Sequence, residues 1–198
     1  MPRIAVLDFG MGNLRSVAKA LERAGATVDV TPDVADDADG LVVPGQGHFG
    51  SCIVNLSDRA KDVVRWIERG RPYLGICLGL QILLEGSEEA QHSGLGVLPG
   101  RVRRLPGGLK VPHIGWNEVM PSGNAPMLAG IAPGTRFYFV HSYYPDPADG
   151  AAVAATTGYG IEFCCAVARD NVWATQFHPE KSGDPGIALL RTFVGRCA

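Results

Sequence analysis

The chain has 198 residues, of which 46% are apolar and 19% charged, and its formal net charge at pH 7 is −2. This composition is typical of a globular protein with one substantial core, and it excludes a disordered or membrane-spanning chain. Because the basic residues form only one short cluster, RVRR at 101–104, we expect no binding to nucleic acid or membranes.

The cysteines and histidines limit the redox and metal chemistry. The five cysteines include an adjacent pair and no CxxC motif, which is not a disulfide framework. Since no signal peptide is visible either, we expect a cytoplasmic protein. The five histidines form no HExxH motif or other clustered ligand set. Neither a metal nor another cofactor is therefore expected.

The first half of the chain alternates between strand-like and helix-like segments. Residues 3–9, RIAVLDF, form a near-continuous apolar run, as in a parallel strand covered on both faces. The segment after them has apolar residues at helical spacing and stops at Gly25. This order predicts a doubly wound, mostly parallel sheet. The predicted strands are 3–9, 27–31, 40–45 and 72–76, and the predicted helices are 13–25, 62–70 and 78–86.

The second half is rich in strand-like segments separated by Gly, Pro, Asn and Asp. RDN at 169–171 predicts a tight hairpin, and a final helix begins near Pro185. We therefore expect one α/β domain over residues 1–198, in which an antiparallel extension continues the parallel sheet. The predicted strands here are 100–105, 109–119, 135–144, 151–157, 162–170 and 171–179.

YLGICLGLQ, residues 73–81, places Cys77 between a predicted strand and a predicted helix. The glycines on either side, Gly75 and Gly79, would allow a tight turn and the close approach of a substrate. A helix starting at Leu78 would favour the thiolate form through its positive end. This pattern predicts a nucleophile, and the alternative is a packed core cysteine.

QFHPE at 176–180 offers a base and a group to orient it. His178 would lie at the tip of a strand that Pro179 ends. In an extended segment residues two apart point the same way, so Glu180 could reach one imidazole nitrogen while the other faces a thiol. Alone, HPE is more typical of a surface turn; combined with an elbow cysteine it predicts thiol catalysis. The other cysteines are expected to be core or surface residues.

Acyl chemistry also requires donors for a developing oxyanion. The backbone N–H of Leu78, directly after the cysteine, is one candidate. The loop PGQGHFG at 44–50 is the other, because Gly45 and Gly47 follow a buried strand at the edge where active sites of open sheets lie. An ordinary strand-to-loop turn is the alternative interpretation of this loop.

The chain resembles the class I, triad-type glutamine amidotransferases, and more closely the glutaminase subunits of imidazole glycerol phosphate synthases. The resemblance covers nearly the whole chain and rests on DFGMGNLRSV, PGQGHFG, GICLGLQ, HIGWN, FYFVHSYY and FHPEKSG, in that order. It implies that a Cys77–His178–Glu180 triad hydrolyses glutamine to glutamate and ammonia. It also implies a 1:1 heterodimer with a (β/α)8-barrel cyclase, which uses the ammonia in histidine biosynthesis.

The same resemblance implies further site residues. Those that would line the glutamine pocket are Gly45, Gly47, Gln81, Ser142 and Tyr143. Those that would face the cyclase are Asn13, Trp116 and Lys181. From the residues alone, Gln81 could equally be an exposed helix residue, Trp116 a core residue and Lys181 a solvated one. One departure is Gln46, which replaces the β-branched valine of the family's usual P-G-V-G.

Three other interpretations compete with this one. A cysteine hydrolase or chaperone-like protein of the DJ-1 kind would share the elbow cysteine but would not need HPE. A non-catalytic scaffold is disfavoured by the intact triad. The glutaminase of another synthase, such as the pyridoxal phosphate one, usually has C-A-G at the elbow and no counterpart of HIGWN. The absence of a GxxxxGK[ST] loop and of a dinucleotide fingerprint indicates that the ammonia acceptor binds to another chain.

Overall fold

The computed structural model describes residues 1–123 and 125–198. Within them, thirteen strands form two sheets. The strands are β1 (Arg3–Leu7), β2 (Thr27–Thr31), β3 (Gly40–Gly45), β4 (Tyr73–Cys77), β5 (Gly86–Ser87), β6 (Ala90–Ser93), β7 (Gly100–Arg104), β8 (His113–Pro121), β9 (Thr135–His141), β10 (Tyr143–Pro147), β11 (Val153–Gly158), β12 (Glu162–Arg169) and β13 (Val172–Thr175).

The large sheet has nine strands in the order β2-β1-β3-β4-β13-β12-β11-β8-β9. The strands from β2 to β13 in this order are parallel. The remaining pairings are antiparallel. The predicted α/β class, a parallel sheet with an antiparallel extension, is confirmed, although the extension is as large as the parallel part. A second sheet has four strands in the order β10-β7-β5-β6.

Helices cover both faces of the parallel part, as a doubly wound sheet requires. On β1, Ile4 and Val6 pack into the core under α1 and α5, while Ala5 and Leu7 pack into the core under α2 and α3. This alternation explains the continuous apolar run of that strand. No helix of the described residues is long and apolar enough to cross a membrane. The helices are α1 (Leu14–Arg23), α2 (Phe49–Leu56), α3 (Arg59–Glu68), α4 (Leu78–Gln81) and α5 (Gly183–Arg196).

The helix predicted over 78–86 is a single turn, α4. The next amides bond three residues back, Leu83 N to Leu80 O at 3.1 Å and Leu84 N to Gln81 O at 3.2 Å, so the turn tightens and the helix ends. The apolar run beyond it is fully buried on all sides, so its periodicity carried no signal of this end.

Two predicted strands are also interrupted. The segment 135–144 breaks at Ser142, where the chain leaves the large sheet as β9 and enters the small one as β10. The segment 171–179 leaves the sheet after Thr175, at the end of β13. The hairpin predicted at RDN is present, with Arg169 paired to Val172 across a two-residue turn. Helix α2 was not predicted, because its sequence FGSCIVNL lacks a polar stripe.

Candidate active site

Cys77 is the last residue of β4 and has a left-handed backbone conformation, with φ 57° and ψ −106°. This region is unfavourable for a residue with a Cβ and persists only where the surrounding structure imposes it. β4 lies between β3 and β13, so Cys77 is at the carboxyl edge of the parallel strands. A strand-to-helix turn of this kind presents a side chain above the sheet.

The glycines on either side of Cys77 permit close packing and do not themselves have positive φ. A Cβ on Gly79 would overlap the carbonyl oxygen of Val43, and a Cβ on Gly75 would overlap the carbonyl oxygen of Gly79. The buried Tyr73 hydroxyl donates to that same Gly79 oxygen at 2.7 Å. The glycines therefore let α4 lie directly on β3 and β4, which is a different role from the turn geometry that the sequence suggested.

His178 and Glu180 form a buried pair, with Nδ1 of the histidine 2.8 Å from Oε1 of the carboxylate and both side chains 2% exposed. The backbone between them is a 3₁₀ turn, not the extended segment that we expected. This turn is attached to β9. The His178 amide donates to Tyr138 O at 2.9 Å, while the Ser182 hydroxyl donates to His178 O at 2.6 Å and accepts from Tyr138 N at 3.0 Å.

The surroundings of His178 favour its protonated form. Burial lowers the pKa of the imidazole, but the nearby Cys77 and Glu180 outweigh burial and raise this pKa to about 9. Nε2 of His178 and Oε2 of Glu180 are buried and have no hydrogen-bond partner among the described residues. Although Cys77 is close enough to raise the pKa, its sulfur therefore makes no hydrogen bond to Nε2 in this arrangement. An imidazolium with a free N–H beside a thiol is the arrangement that a thiolate nucleophile requires.

The five cysteines are all free and buried, and burial raises the pKa of the four thiols other than Cys77. It raises the pKa of Cys52, Cys164 and Cys197 to about 12 and that of Cys165 well above its ordinary value. These four thiols stay protonated at neutral pH. Cys77, by contrast, lines a cavity.

That cavity has a volume of about 230 Å³, smaller than the roughly 300–1,000 Å³ of sites for drug-sized ligands. It therefore suits a ligand of amino-acid size. Gly45, which we expected in the pocket, is not one of the lining residues; a Cβ on it would come 2.6 Å from Cβ of Leu78, which does line the cavity. The lining residues that the sequence analysis named are Gln46, Gly47, Cys77, Leu78, Gln81, Ser142 and Tyr143. Those that it missed are Glu89, Pro112, Val140 and His141.

The two proposed oxyanion donors both line the cavity with Cys77. Leu78 is the first residue of α4, where backbone N–H groups have no partner within the helix. Gly47 has φ 111°, a conformation that only glycine adopts readily. Gln46, between Gly45 and Gly47, also lines the cavity, so its substitution for the family's valine places an amide beside the ligand space.

Gln81 is buried, which excludes the exposed-helix interpretation. Its side-chain nitrogen donates to Tyr143 O at 3.1 Å and to Oε1 of Gln176 at 2.9 Å. Only its oxygen remains available to a ligand. Nε2 of Gln176 lies 3.5 Å from the sulfur of Cys77. Sequence reasoning missed Gln176, although it is the first residue of the QFHPE stretch that supplied the base.

Two of the proposed interface residues meet at one surface. Trp116 is 55% exposed and so is not a core residue; its ring packs edge-on against Tyr138 at 6.2 Å. Nζ of Lys181 lies 5.8 Å from the centre of the same Tyr138 ring. Asn13 is exposed and caps α1 by accepting from Ser16 N at 3.3 Å. Because α1 packs against the turn of residues 179–181, Asn13 belongs to an element next to Lys181.

Comparison with known proteins gives the family. The family model for class-I glutamine amidotransferases matches residues 5–197. The chain is 50% identical to the imidazole glycerol phosphate synthase subunit HisH of Syntrophotalea carbinolica over an alignment 202 positions long, which covers 96% of this chain and 98% of that one. It is 46% identical to the protein of the same name from Geobacter sulfurreducens, covering 98% of each chain.

Solved structures show the same fold at lower identity. A putative GMP synthase protein from Thermoplasma acidophilum has a TM-score of 0.77 at 22% identity, covering 100% of this chain and 94% of that one. PurLQS from Thermotoga maritima has a TM-score of 0.80 at 21% identity, covering 100% and 99%. The chain therefore belongs to the class I glutamine amidotransferase family and, within it, to the HisH subunits of imidazole glycerol phosphate synthase.

Proposed function

We propose that this chain hydrolyses glutamine to glutamate and ammonia through Cys77, His178 and Glu180, and supplies the ammonia to a separate cyclase subunit that makes imidazole glycerol phosphate. The observation that carries this proposal is the buried His178–Glu180 pair beside a cysteine held at positive φ on the wall of an amino-acid-sized cavity. The HisH relatives at about half identity support the synthase, rather than a pyridoxal phosphate synthase or a DJ-1-like hydrolase.

In the first half-reaction, Nε2 of His178 holds the proton that the Cys77 thiol has given up, and the sulfur attacks the side-chain amide carbon of glutamine. The amide oxygen becomes an oxyanion, which the N–H groups of Leu78 and Gly47 stabilise. The intermediate collapses when His178 returns its proton to the amide nitrogen. Ammonia leaves, and a thioester to Cys77 remains.

In the second half-reaction, water attacks the thioester carbon while Nε2 of His178 accepts a proton from the water. The C–S bond breaks, glutamate leaves, and the thiol–imidazole pair is restored. Glu180 lies 2.8 Å from Nδ1 of His178, so it fixes the orientation of the ring, leaves Nε2 free for proton transfer and stabilises the imidazolium. These effects of the carboxylate depend on its burial, because water would weaken the interaction.

The glutamine side chain would reach Cys77 through the cavity. Gly47, Ser142 and Tyr143 line its wall and offer backbone and hydroxyl groups to the ligand. The Gln81 side chain contributes only its oxygen, because both hydrogens of its amide are already bonded. Gly45 contributes indirectly, since the absence of a side chain lets the loop lie against Leu78 of the cavity wall.

The proposed partner is a (β/α)8-barrel cyclase bound 1:1, with Asn13, Trp116 and Lys181 facing it. A mostly apolar exposed stripe on β8 supports this assignment: Ile114, Trp116 and Met120 lie on one side of the strand and are 57%, 55% and 45% exposed, with the exposed Glu118 between the last two. A stripe of this kind on an otherwise polar surface is typical of a protein interface. The free cysteines suit the cytoplasm as the compartment.

The decisive experiment separates glutamine hydrolysis from synthesis. We expect Cys77→Ala to lose measurable glutamine-dependent synthesis when it is combined with the cyclase of the same cell, because the nucleophile is absent. Ammonium at high concentration should support synthesis with either the variant or the wild-type chain. Cys52→Ala, at a thiol whose pKa is about 12, is the matched control and should keep its activity. Glutamine-dependent activity in Cys77→Ala, or no rescue by ammonium, would contradict the proposal.

A further inference from the structure

Buried hydrogen-bonding groups form a chain that links Cys77 to Gln176, Gln81, the Tyr143 carbonyl and His141. Nε2 of Gln176 lies 3.5 Å from the Cys77 sulfur, and Oε1 of Gln176 accepts from Nε2 of Gln81 at 2.9 Å. That nitrogen also donates to Tyr143 O at 3.1 Å. Nδ1 of His141 donates to the same carbonyl at 2.8 Å. The mechanism described above does not use Gln176 or His141.

The direction of every bond in this chain follows from one backbone carbonyl. Tyr143 O can only accept, so the Gln81 atom facing it must be the amide nitrogen. The Gln176 atom facing that nitrogen must then be the oxygen, since two amide nitrogens do not bond. The N–H group of Gln176 is left facing the sulfur. The orientation of this amide is therefore determined by its partners and is not a free choice between oxygen and nitrogen.

The far end of the chain keeps the same direction. Because Nδ1 of His141 donates to the carbonyl, its Nε2 is an acceptor, and Nδ1 of His113 lies 3.0 Å from it. Burial lowers the pKa of His141 to about 3 and lowers that of His113, so both rings stay neutral near pH 7. Nδ2 of Asn117 lies 3.3 Å from the remaining nitrogen of His113. Near pH 7 the two rings therefore keep the donor and acceptor roles given above, and the direction of the hydrogen bonds does not change.

Gln176 is placed opposite Cys77 by the sheet. β13 is parallel to β4 and pairs Thr175 with Ile76, so Gln176, the first residue after β13, lies beside Cys77, the last residue of β4. The Gln176 side chain is fully buried. Burying an amide costs free energy unless its hydrogen bonds are made, and an apolar side chain of similar size would fill the same space without that cost. Stability alone does not explain a glutamine at this position.

We propose that Gln176 is a further catalytic residue, whose side-chain N–H donates to the Cys77 sulfur and favours the thiolate. This inference rests on the proposed function, because it assumes that the Cys77 thiolate is the reacting species. Donation to a charged sulfur is stronger than donation to a neutral thiol, so the bond stabilises the thiolate selectively. Gln81 and the Tyr143 carbonyl hold the amide in the orientation that makes this donation possible.

The test is the pH profile of Cys77 alkylation in the full-length chain. Iodoacetamide reacts with the thiolate, and peptide mass mapping reports the rate at Cys77 separately from the buried cysteines. In Gln176→Leu we expect the midpoint of the profile to move up by about one pH unit, which makes alkylation about tenfold slower at pH values well below the wild-type midpoint. The plateau rate at high pH should be unchanged, since the thiol remains accessible.

Two further variants complete the test. Gln176→Glu keeps the shape of the side chain but replaces the donor with an oxygen, so its midpoint should move at least as far upward. Gln91→Leu, the same substitution at an exposed glutamine, should leave the profile unchanged. If Gln176→Leu does not fold, Gln176→Glu decides. An unmoved midpoint in either folded variant overturns the inference, even where Cys77→Ala has abolished hydrolysis and so upheld the proposed function.

Discussion

Cys77 ends strand β4 and His178 follows the neighbouring parallel strand β13, but different forces hold the two residues in position. Cys77 is held by backbone packing, in which the single turn of α4 rests on β3 and β4 through glycines that leave no room for a Cβ. His178 lies beyond the end of β13, and hydrogen bonds with Tyr138, Glu180 and Ser182 hold it. The proposed nucleophile thus depends on steric fit, and the proposed base depends on polar contacts.

This difference has a physical reason. A strained φ at Cys77 persists only if a rigid environment enforces it, and close-packed backbone is the most rigid environment available. An imidazole that gives and takes protons needs its other nitrogen bonded and its ring oriented, which a buried carboxylate provides. The two regions should therefore respond differently to substitution.

The largest effect on activity is expected for His178→Asn. The variant keeps a polar side chain but has no group that can hold the proton of Cys77 or return it to the leaving ammonia. Glutamine hydrolysis should fall by about 10²–10⁴-fold, the range typical of a lost general acid–base. The rate is measured with saturating glutamine and the cyclase present. The control is His92→Asn, at an exposed histidine, which should leave the rate unchanged. Near-normal turnover in His178→Asn would refute the assigned role.

The next largest effect is on folding stability and concerns the backbone packing around Cys77. Gly79→Ala places a Cβ against the Val43 carbonyl, and we expect a loss of about 3 kcal/mol in the free energy of unfolding. The matched control is Gly195→Ala in α5, where a Cβ would meet nothing within 4 Å. There a gain of up to about 1 kcal/mol is expected from helix propensity. Urea denaturation measures both variants. Equal stability of the two would show that α4 is not packed as described.

The smallest effect is a pH dependence of the free energy of unfolding, which arises from the polar contacts of His178. The pKa of His178 is raised to about 9 in the fold, above the ordinary value of about 6.5 in the unfolded chain. The protonated ring therefore stabilises the fold fully below pH 6.5, and this contribution is lost as the pH rises through about 9. Relative to His178→Asn, the wild-type chain should lose about 1–3 kcal/mol of unfolding free energy between these values.

Denaturant unfolding of the two chains at a series of pH values measures this difference. The other buried histidines do not interfere, because burial lowers the pKa of His113 and His141 and they titrate below the window. The buried thiols Cys52, Cys164 and Cys197 titrate near pH 12, above it. A difference between wild type and variant that stays constant from pH 6.5 to 9 would show that Cys77 and Glu180 do not favour the imidazolium.

The sequence predicted most of the parallel half, because each of its strands and helices has a local pattern. The run RIAVLDF indicated a strand buried on both faces, and β1 does contribute to a core on each side of the sheet. The helix after Cys77 was predicted too long. Ile82, Leu83 and Leu84 are all fully buried, so the sequence has no polar position there that would show where the helix ends. The break at Ser142 also has no local signal, because the chain changes sheets there.

Residues adjacent in sequence were enough to predict the proposed nucleophile in GICLG and the proposed base with its orienting acid in HPE, and the order of the motifs indicated the family. The reason for Gly75 and Gly79 was not readable, because the atoms that exclude a side chain there belong to β3 and α4. Gln176, Gln81 and His141 come from separate stretches of the chain, and only the pairing of β13 with β4 and the turn into β10 bring their amides and ring together. Contacts between residues distant in sequence depend on the fold, so the tertiary structure alone decided that Cys77 has a hydrogen-bond donor besides its proposed base.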